Sequence, residues 1–215
     1  MDKKTILQRI KDLGLLAVIR GPSEKLTLKL VDALVAGGIT GIEITYSTPN
    51  AEEVARKVAD TFKDDIVLGM GTLTELGQPE AAKSVGAQFI VSPMYEEFLV
   101  NEMVNSGLVS MAGALTPTEI FTVFNKGVDV VKVFPGSLGG PDYFKAIKGP
   151  FPQIPLMPTG GVSLENIPDW FAVGAFAVGA GSELCPKQLV LEEKFDQITA
   201  RAKEFAAVVI EAKKK

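Results

Sequence analysis

Short apolar runs alternate along this chain with longer stretches of mixed polarity. Each run has the length of a strand and is rich in β-branched residues, which is typical of buried strands. The pattern predicts eight strands, at residues 15–19, 41–45, 66–70, 88–91, 109–112, 128–134, 155–158 and 176–179. Helices are predicted after them, at residues 23–35, 50–61, 76–85, 96–106, 118–125, 141–147, 163–171 and 191–212.

Eight strand-then-helix units follow one another without a linker or a change in composition. This order predicts an α/β fold, a (β/α)8 TIM barrel, formed as a single domain over residues 1–215. Residues 1–10 look like an amphipathic helix, so an extra N-terminal helix is expected before the first strand. A doubly wound open sheet is the alternative architecture.

Composition limits the kinds of partner and the compartment that are expected for this protein. The chain has 215 residues with a net charge of −4 and no basic stripe, so nucleic acid is not expected as a partner. No apolar run is long enough to span a bilayer, so no membrane association is expected. Cys185 is the only cysteine, which excludes a disulfide within the chain and fits a reducing, cytoplasmic location.

The sequence contains no histidine. A Ser-His-Asp triad and a histidine-based zinc site are therefore excluded, and proton transfer must fall to a carboxylate, a lysine, a tyrosine or water. No pair of acidic residues has a spacing that demands Mg²⁺, so no metal site is predicted.

Lys132 stands inside one of the predicted buried strands. Burial disfavours the charged ammonium, so its pKa should fall, and a neutral lysine can form a Schiff base with a carbonyl. There are two alternatives. Lys132 could be a charge that prevents an edge strand from pairing with another chain, or its amine could reach water along the surface.

A second charged residue, Glu43, lies in another apolar strand. Side chains alternate along strands, so Glu43 shares a face with Thr45, and Lys132 shares a face with Val130 and Phe134. If both faces line the barrel interior, an acid and an amine meet in a dry cavity. The alternative is a buried structural ion pair, which needs good geometry to persist.

Polar and small residues follow several predicted strands, at the face where barrel active sites lie. They are Arg20, Thr72, Pro93 and Thr159. Glycine-rich turns follow the seventh and eighth strands and include Gly160, Gly161, Gly181 and Ser182. Turns in these two units commonly bind phosphate, although a tight turn between strand and helix needs glycine in any case.

The motifs resemble those of one known family, the 2-keto-3-deoxy-6-phosphogluconate (KDPG) and 4-hydroxy-2-oxoglutarate (KHG) aldolases, which include a galactonate-pathway relative. The similar stretches occur in order along nearly the whole chain: Ala-Gly-Gly-Ile-Thr-Gly-Ile-Glu-Ile-Thr (36–45), Gly-Met-Gly-Thr (69–72), Gly-Ala-Gln-Phe-Ile-Val-Ser-Pro (86–93), Thr-Pro-Thr-Glu (116–119), Val-Lys-Val-Phe-Pro (131–135), Lys-Gly-Pro-Phe-Pro (148–152) and Pro-Thr-Gly-Gly-Val (158–162).

The resemblance implies a class I aldolase that needs no cofactor, acts on a 2-keto acid to release pyruvate, and assembles as a homotrimer. It implies that Lys132 is the Schiff-base lysine, Glu43 the proton carrier and Thr159 a group beside the reacting hydroxyl. The other expected contacts are with the substrate for Arg20, Thr72, Pro93 and Phe134, and with its phosphate for Gly160, Gly161, Gly181 and Ser182. Some members carry an arginine where this chain has Ser47.

Two other functions stay open at this point. A phosphate-binding barrel of another reaction class, such as an isomerase or epimerase, would use Glu43 as a base without forming an imine. A barrel retained only as an oligomeric scaffold would use neither Glu43 nor Lys132.

Overall fold

A computed structural model describes residues 1–214 and contains one sheet of eight parallel strands. The strands are β1 (Leu15–Ile19), β2 (Gly41–Thr45), β3 (Val67–Gly71), β4 (Phe89–Val91), β5 (Val109–Ala114), β6 (Val130–Val133), β7 (Leu156–Pro158) and β8 (Val178–Ala180). The helices are α1 (Lys3–Leu13), α2 (Glu24–Ala36), α3 (Ala51–Phe62), α4 (Gln78–Ser84), α5 (Glu97–Asn105), α6 (Pro117–Asn125), α7 (Gly140–Lys148), α8 (Ile167–Ala172), α9 (Lys187–Leu191) and α10 (Phe195–Ala212).

The sheet closes on itself as a barrel. Strands β1 to β7 pair in sequence order, and β8 pairs with β1. The last gap, between β7 and β8, is bridged by a parallel pairing of Thr159 with Gly179 and by the Phe176 N–H, which donates to the Leu156 carbonyl at 2.9 Å. The predicted TIM barrel with an N-terminal helix is confirmed, and the open-sheet alternative is wrong.

Alternating side chains divide the core into an outer and an inner part. The outer part lies between strands and helices and contains Val131 and Val133 of β6. The inner part fills the barrel at the N-terminal ends of the strands and contains Val67, Val130 and Met157. Ile6 and Ile10 of α1 belong to this inner cluster and are buried, so the N-terminal helix plugs this end of the barrel.

The predicted terminal helix over residues 191–212 is wrong in extent. The chain forms the short helix α9, turns at Glu192–Lys194, and resumes in α10. Glu193 has φ +53°, a left-handed conformation that interrupts a right-handed helix. Within residues 1–214, no helix combines the length and the apolar content needed to cross a bilayer.

Candidate active site

Lys132 faces the barrel interior. Its neighbours Val131 and Val133 belong to the outer core, whereas Val130 belongs to the inner one, so alternation turns Lys132 inward. The residue is 3% exposed, and its Nζ atom lies 5.1 Å from the centroid of the Phe134 ring. The amine therefore lies in a largely dry space with an aromatic wall.

Glu43 points into the same interior from β2. The residue has no exposed surface, and neither of its carboxylate oxygens has a hydrogen-bond partner. Buried carboxylates without partners are expensive, because desolvation is not offset by hydrogen bonding. An unpaired acid held in this way is available to a ligand.

The pKa values of the two groups shift in opposite directions. Burial raises the pKa of Glu43, and the positive charges of Lys132 and Arg20 oppose this rise. Burial lowers the pKa of Lys132; the Glu43 carboxylate opposes this fall, and Arg20 adds to it. Desolvation dominates for both groups, so it favours a neutral amine beside a neutral acid.

Lys132 and Glu43 do not form a close ion pair. The ion pairs of residues 1–214 join side chains that are partly exposed, and neither Lys132 nor Glu43 takes part in them. The structural ion pair considered from the sequence is therefore absent from the described residues. Separation leaves the amine unblocked for attack on a carbonyl carbon.

Thr159 follows β7 and stands at the closure of the barrel. It is 6% exposed, and its buried hydroxyl has no hydrogen-bond partner. Its carbonyl accepts a hydrogen bond from the Gly136 N–H at 2.8 Å, which ties the turn after β7 to the turn after β6. The backbone of Thr159 is therefore anchored, and its hydroxyl is free to contact a ligand.

A cleft of ≈ 70 Å³ opens at the C-terminal ends of β1, β6, β7 and β8. Eight of the residues that line it were predicted as site residues or lie within the predicted turns: Arg20, Phe134, Thr159, Gly160, Gly161, Val162, Gly181 and Ser182. Gly160 and Gly161 both have positive φ, at +86° and +78°, which exposes backbone toward the cleft as no other residue type readily would.

Thr72 and Pro93 are placed on the opposite side of the barrel mouth, after β3 and β4. Thr72 has φ +60°, an uncommon conformation for a β-branched residue and one that costs about 1–3 kcal/mol, of the kind that clusters at functional sites. The Pro93 carbonyl lies against Gly113, which is the register partner of Lys132 on β5. The structure therefore brings Pro93 next to the strand position of Lys132.

Ser47 lies just beyond the end of β2. Its hydroxyl lies 2.8 Å from the Thr45 hydroxyl, which also donates to the Ile19 carbonyl at 2.8 Å. Ser47 is thus part of a small hydrogen-bonded group between β1 and β2.

Interior glycines were missed as site residues. A Cβ at Gly71 would lie 1.9 Å from Oε1 of Glu43, and a Cβ at Gly179 would lie 2.5 Å from Oγ1 of Thr159. Both glycines therefore create the room that the two polar side chains occupy. Their signal in the sequence was an interior strand position filled by glycine, which commonly marks a close approach.

This geometry defines a class of protein: a (β/α)8 barrel with an enclosed amine, a separate acid and a glycine-rich cleft, which suits imine chemistry on a small keto acid. The family model described as KDPG and KHG aldolase matches residues 6–201. The chain belongs to the KDPG and KHG aldolase family. Among residues 1–214, no group of three or more acidic, cysteine or histidine side chains is arranged to hold a metal.

Individual relatives agree with the family assignment. The chain is 31% identical over 198 residues to the 2-dehydro-3-deoxy-6-phosphogalactonate aldolase of Escherichia coli K12, which covers 92% of this chain and 97% of the relative. A solved native KDPGal structure superposes with a TM-score of 0.87 at 29% identity, covering 94% of this chain and 97% of that one. The KDPG aldolase of Legionella pneumophila was solved with pyruvate captured as a covalent carbinolamine. Its structure superposes with a TM-score of 0.85 at 28% identity, and the match covers 94% of this chain and 97% of that one.

Proposed function

We propose that this chain is a class I aldolase in which Lys132 forms the Schiff base and Glu43 carries protons. One observation supports these roles above all: both side chains are buried in the same barrel interior, and Glu43 has no internal hydrogen-bond partner. A fold that needed these groups only for stability would pair them, because buried polar groups without hydrogen-bond partners are destabilising.

The proposed reaction begins with the neutral amine of Lys132. Its lone pair attacks the C2 ketone of a 2-keto-4-hydroxy acid. The hydroxyl of the resulting carbinolamine takes the proton of neutral Glu43 and leaves as water, which gives a protonated imine beside a Glu43 carboxylate. The lowered pKa of Lys132 makes this attack feasible near neutral pH. The pyruvate half of the substrate is proposed to lie beside Thr72, Pro93 and Phe134.

Cleavage follows in the imine. Glu43 as carboxylate, directly or through a water, takes the proton of the C4 hydroxyl, and the C3–C4 bond breaks with its electron pair moving toward the iminium nitrogen. The aldehyde leaves, Glu43 gives its proton to C3 of the enamine, and water hydrolyses the imine to release pyruvate and the free amine. Thr159 is proposed to hydrogen-bond the reacting hydroxyl, which its unpartnered Oγ1 supports.

The proposed substrates are the 2-keto-3-deoxy-6-phospho sugar acids and 4-hydroxy-2-oxoglutarate. Similarity to the phosphogalactonate aldolase of E. coli K12 and to KDPG aldolases supports this class. The glycine turns at Gly160, Gly161, Gly181 and Ser182 are proposed to hold the phosphate of the phosphorylated substrates. We also propose a homotrimer in the cytoplasm, by analogy with the family.

Reduction with borohydride in the presence of pyruvate tests the imine. The expected result is a stable mass increase on Lys132, located by peptide mapping, and its loss in Lys132→Ala. Lys148→Ala is the matched control, because burial also lowers the pKa of Lys148, yet this lysine donates to the Ile154 carbonyl at 2.9 Å and lines no part of the site. An unchanged intact mass in the wild-type protein would overturn the proposal.

The same experiment separates the alternatives. An isomerase or epimerase on this barrel would lose turnover in Glu43→Gln but never trap pyruvate. A scaffold without activity would show no turnover and would not trap pyruvate. Membership of an aldolase family favours the imine over both.

A further inference from the structure

A chamber of ≈ 410 Å³ adjoins the glycine cleft on its β1 side. It is lined by the ends of β1, β2 and β8 together with parts of α2 and α9, and its volume lies in the range typical of small-molecule sites. Its apolar wall includes Val18, Leu30 and Val190. The roles proposed above leave most of this space unused.

The chamber and the glycine cleft share part of their walls. Both are lined by Val18, Arg20, Gly181 and Ser182. A ligand that reaches the Ser182 turn from the barrel interior therefore also borders the chamber. The small side chain of Ser47 lies in the same wall.

The charge of the chamber is opposite to that of the whole chain. Its lining contains two cationic side chains, Arg20 and Lys187, and no Asp or Glu, whereas the chain has a net charge of −4. The acidic residue that lines the adjoining cleft, Glu183, is paired with Arg201 at 3.3 Å. Among residues 1–214, Lys187 takes part in none of the ion pairs. A pocket of this kind attracts anions locally despite the acidic surface.

We propose that the chamber receives the phosphate-bearing end of the aldehyde half of the substrate, and that Lys187 is a specificity-determining residue for it. This inference rests on the proposed aldolase function and extends it to a residue outside the glycine turns. Lys187 contacts the terminal phosphate from the chamber side, while the turn at Gly181 and Ser182 holds it from the barrel side. A substrate without the terminal phosphate gains nothing from Lys187.

The expected effect is moderate because Lys187 is exposed. An exposed ion pair contributes little, whereas a hydrogen bond to a charged group in a sheltered site contributes more. We therefore expect Lys187→Ala to raise KM for 2-keto-3-deoxy-6-phosphogluconate about tenfold, with kcat nearly unchanged. The KM for unphosphorylated 2-keto-3-deoxygluconate should stay the same, and Lys187→Arg should restore the wild-type value.

Lys203→Ala is the matched control, because Lys203 is an exposed lysine of α10 that does not line the chamber. Equal losses on both substrates would show a structural role and overturn the inference. Unchanged KM for the phosphorylated substrate in Lys187→Ala would overturn it as well.

A binding measurement keeps the test independent of turnover. Calorimetric titration with glycerol 3-phosphate should show about tenfold weaker binding to Lys187→Ala than to the wild type or Lys203→Ala. Equal affinities for the three proteins would refute the chamber as a phosphate site. Failure of borohydride trapping in the wild type would instead refute the aldolase proposal, so the two failures are distinguishable.

Discussion

The two ends of the barrel interior are built from the same eight strands but differ in the polarity of the side chains that fill them. At the N-terminal ends, Ile10 of α1 and strand residues such as Val109 belong to one buried apolar cluster. At the C-terminal ends, Glu43 and Thr159 are buried with polar atoms that have no partner. One end removes apolar surface from water, whereas the other holds polar groups in an unfavourable state that a ligand can relieve.

This difference locates stability and chemistry in separate layers of one core. In barrels of this kind, packing at the N-terminal ends of the strands stabilises the fold, and residues at the C-terminal ends carry out the reaction. If the division holds, changes in the upper layer should alter activity far more than stability, and changes in the lower layer should do the reverse.

The largest effect is expected for Lys132→Met. Loss of a covalent nucleophile removes the imine pathway, and kcat/KM should fall by a factor on the order of 10⁶. The measurement is pyruvate release from 2-keto-3-deoxy-6-phosphogluconate, with circular dichroism to verify the fold. Residual activity within tenfold of the wild type would contradict the role of Lys132.

The same variant should be more stable than the wild type at pH 7. The pKa of Lys132 is lowered in the folded state, so the unfolded chain binds its proton more tightly and wild-type stability rises with pH through the window between the two pKa values. At pH values below that window the buried amine is protonated, and its desolvation lowers the free energy of unfolding. Methionine carries no charge and removes this penalty. Urea unfolding at pH 7 and pH 9 should show the gain shrinking as pH rises.

The second largest effect is expected for Glu43→Gln. The amide cannot accept the hydroxyl proton, so kcat should fall by about 10²–10⁴. Pyruvate should still be trapped on Lys132, and the pH dependence of trapping should move to lower pH, because the attraction of Glu43 that raises the lysine pKa is gone. Wild-type turnover in this variant would remove Glu43 from the mechanism.

Much of this arrangement could be predicted from the sequence because it follows from local periodicity. Alternation in β2 and β6 predicted which residues share a face with Glu43 and with Lys132, and the order of units predicted the barrel that contains both strands. That both faces point inward was a condition of that prediction, and the structure supplies it. The break at Glu193 could not be predicted, since residues 191–195 contain no glycine or proline to mark its left-handed φ. Boundaries also shifted: β6 ends at Val133, although the apolar run continues to Phe134.

The separation of the Lys132 amine from the Glu43 carboxyl could not be predicted from the sequence either. It depends on side-chain volumes from strands distant in the chain, and Gly71 on β3 leaves the space that the Glu43 carboxylate occupies. The chamber at Lys187 likewise forms from α2, α9 and three strand ends, which no short motif describes.

Gly71→Ala tests this space directly and should have the third largest effect. The new methyl group would lie 1.9 Å from Oε1 of Glu43, so the carboxylate must move, and displacement of a catalytic group by about 1 Å can cost on the order of 10² in kcat. Gly149→Ala is the control, because Gly149 has helical φ −55° and its Cβ would meet the Ala146 carbonyl at 3.4 Å. Steady-state kinetics in which Gly71→Ala matches Gly149→Ala would show that Glu43 needs no fixed position.

A smaller effect is expected for Arg20→Ala. The positive charge of Arg20 lowers the pKa of Lys132, so its removal should shift the pH dependence of pyruvate trapping to higher pH. Arg20→Lys should keep the wild-type dependence because it keeps the charge. Rapid-quench borohydride trapping across pH 6–10 measures the shift; an unchanged profile in Arg20→Ala would mean that Arg20 is too well solvated to influence the amine.

The smallest effect on activity is expected for Ile10→Ala, at the other end of the barrel. Ile10 is fully buried in the inner cluster, so truncation leaves a cavity and should lower the free energy of unfolding by about 2–5 kcal/mol. The kcat measured well below the unfolding temperature should stay within about twofold of the wild type, because distant sites that share no partners act independently. A large loss of kcat in the folded variant would show that α1 positions Lys132 and Glu43 through the inner cluster, and the division between a stabilising layer and a reacting layer would fail.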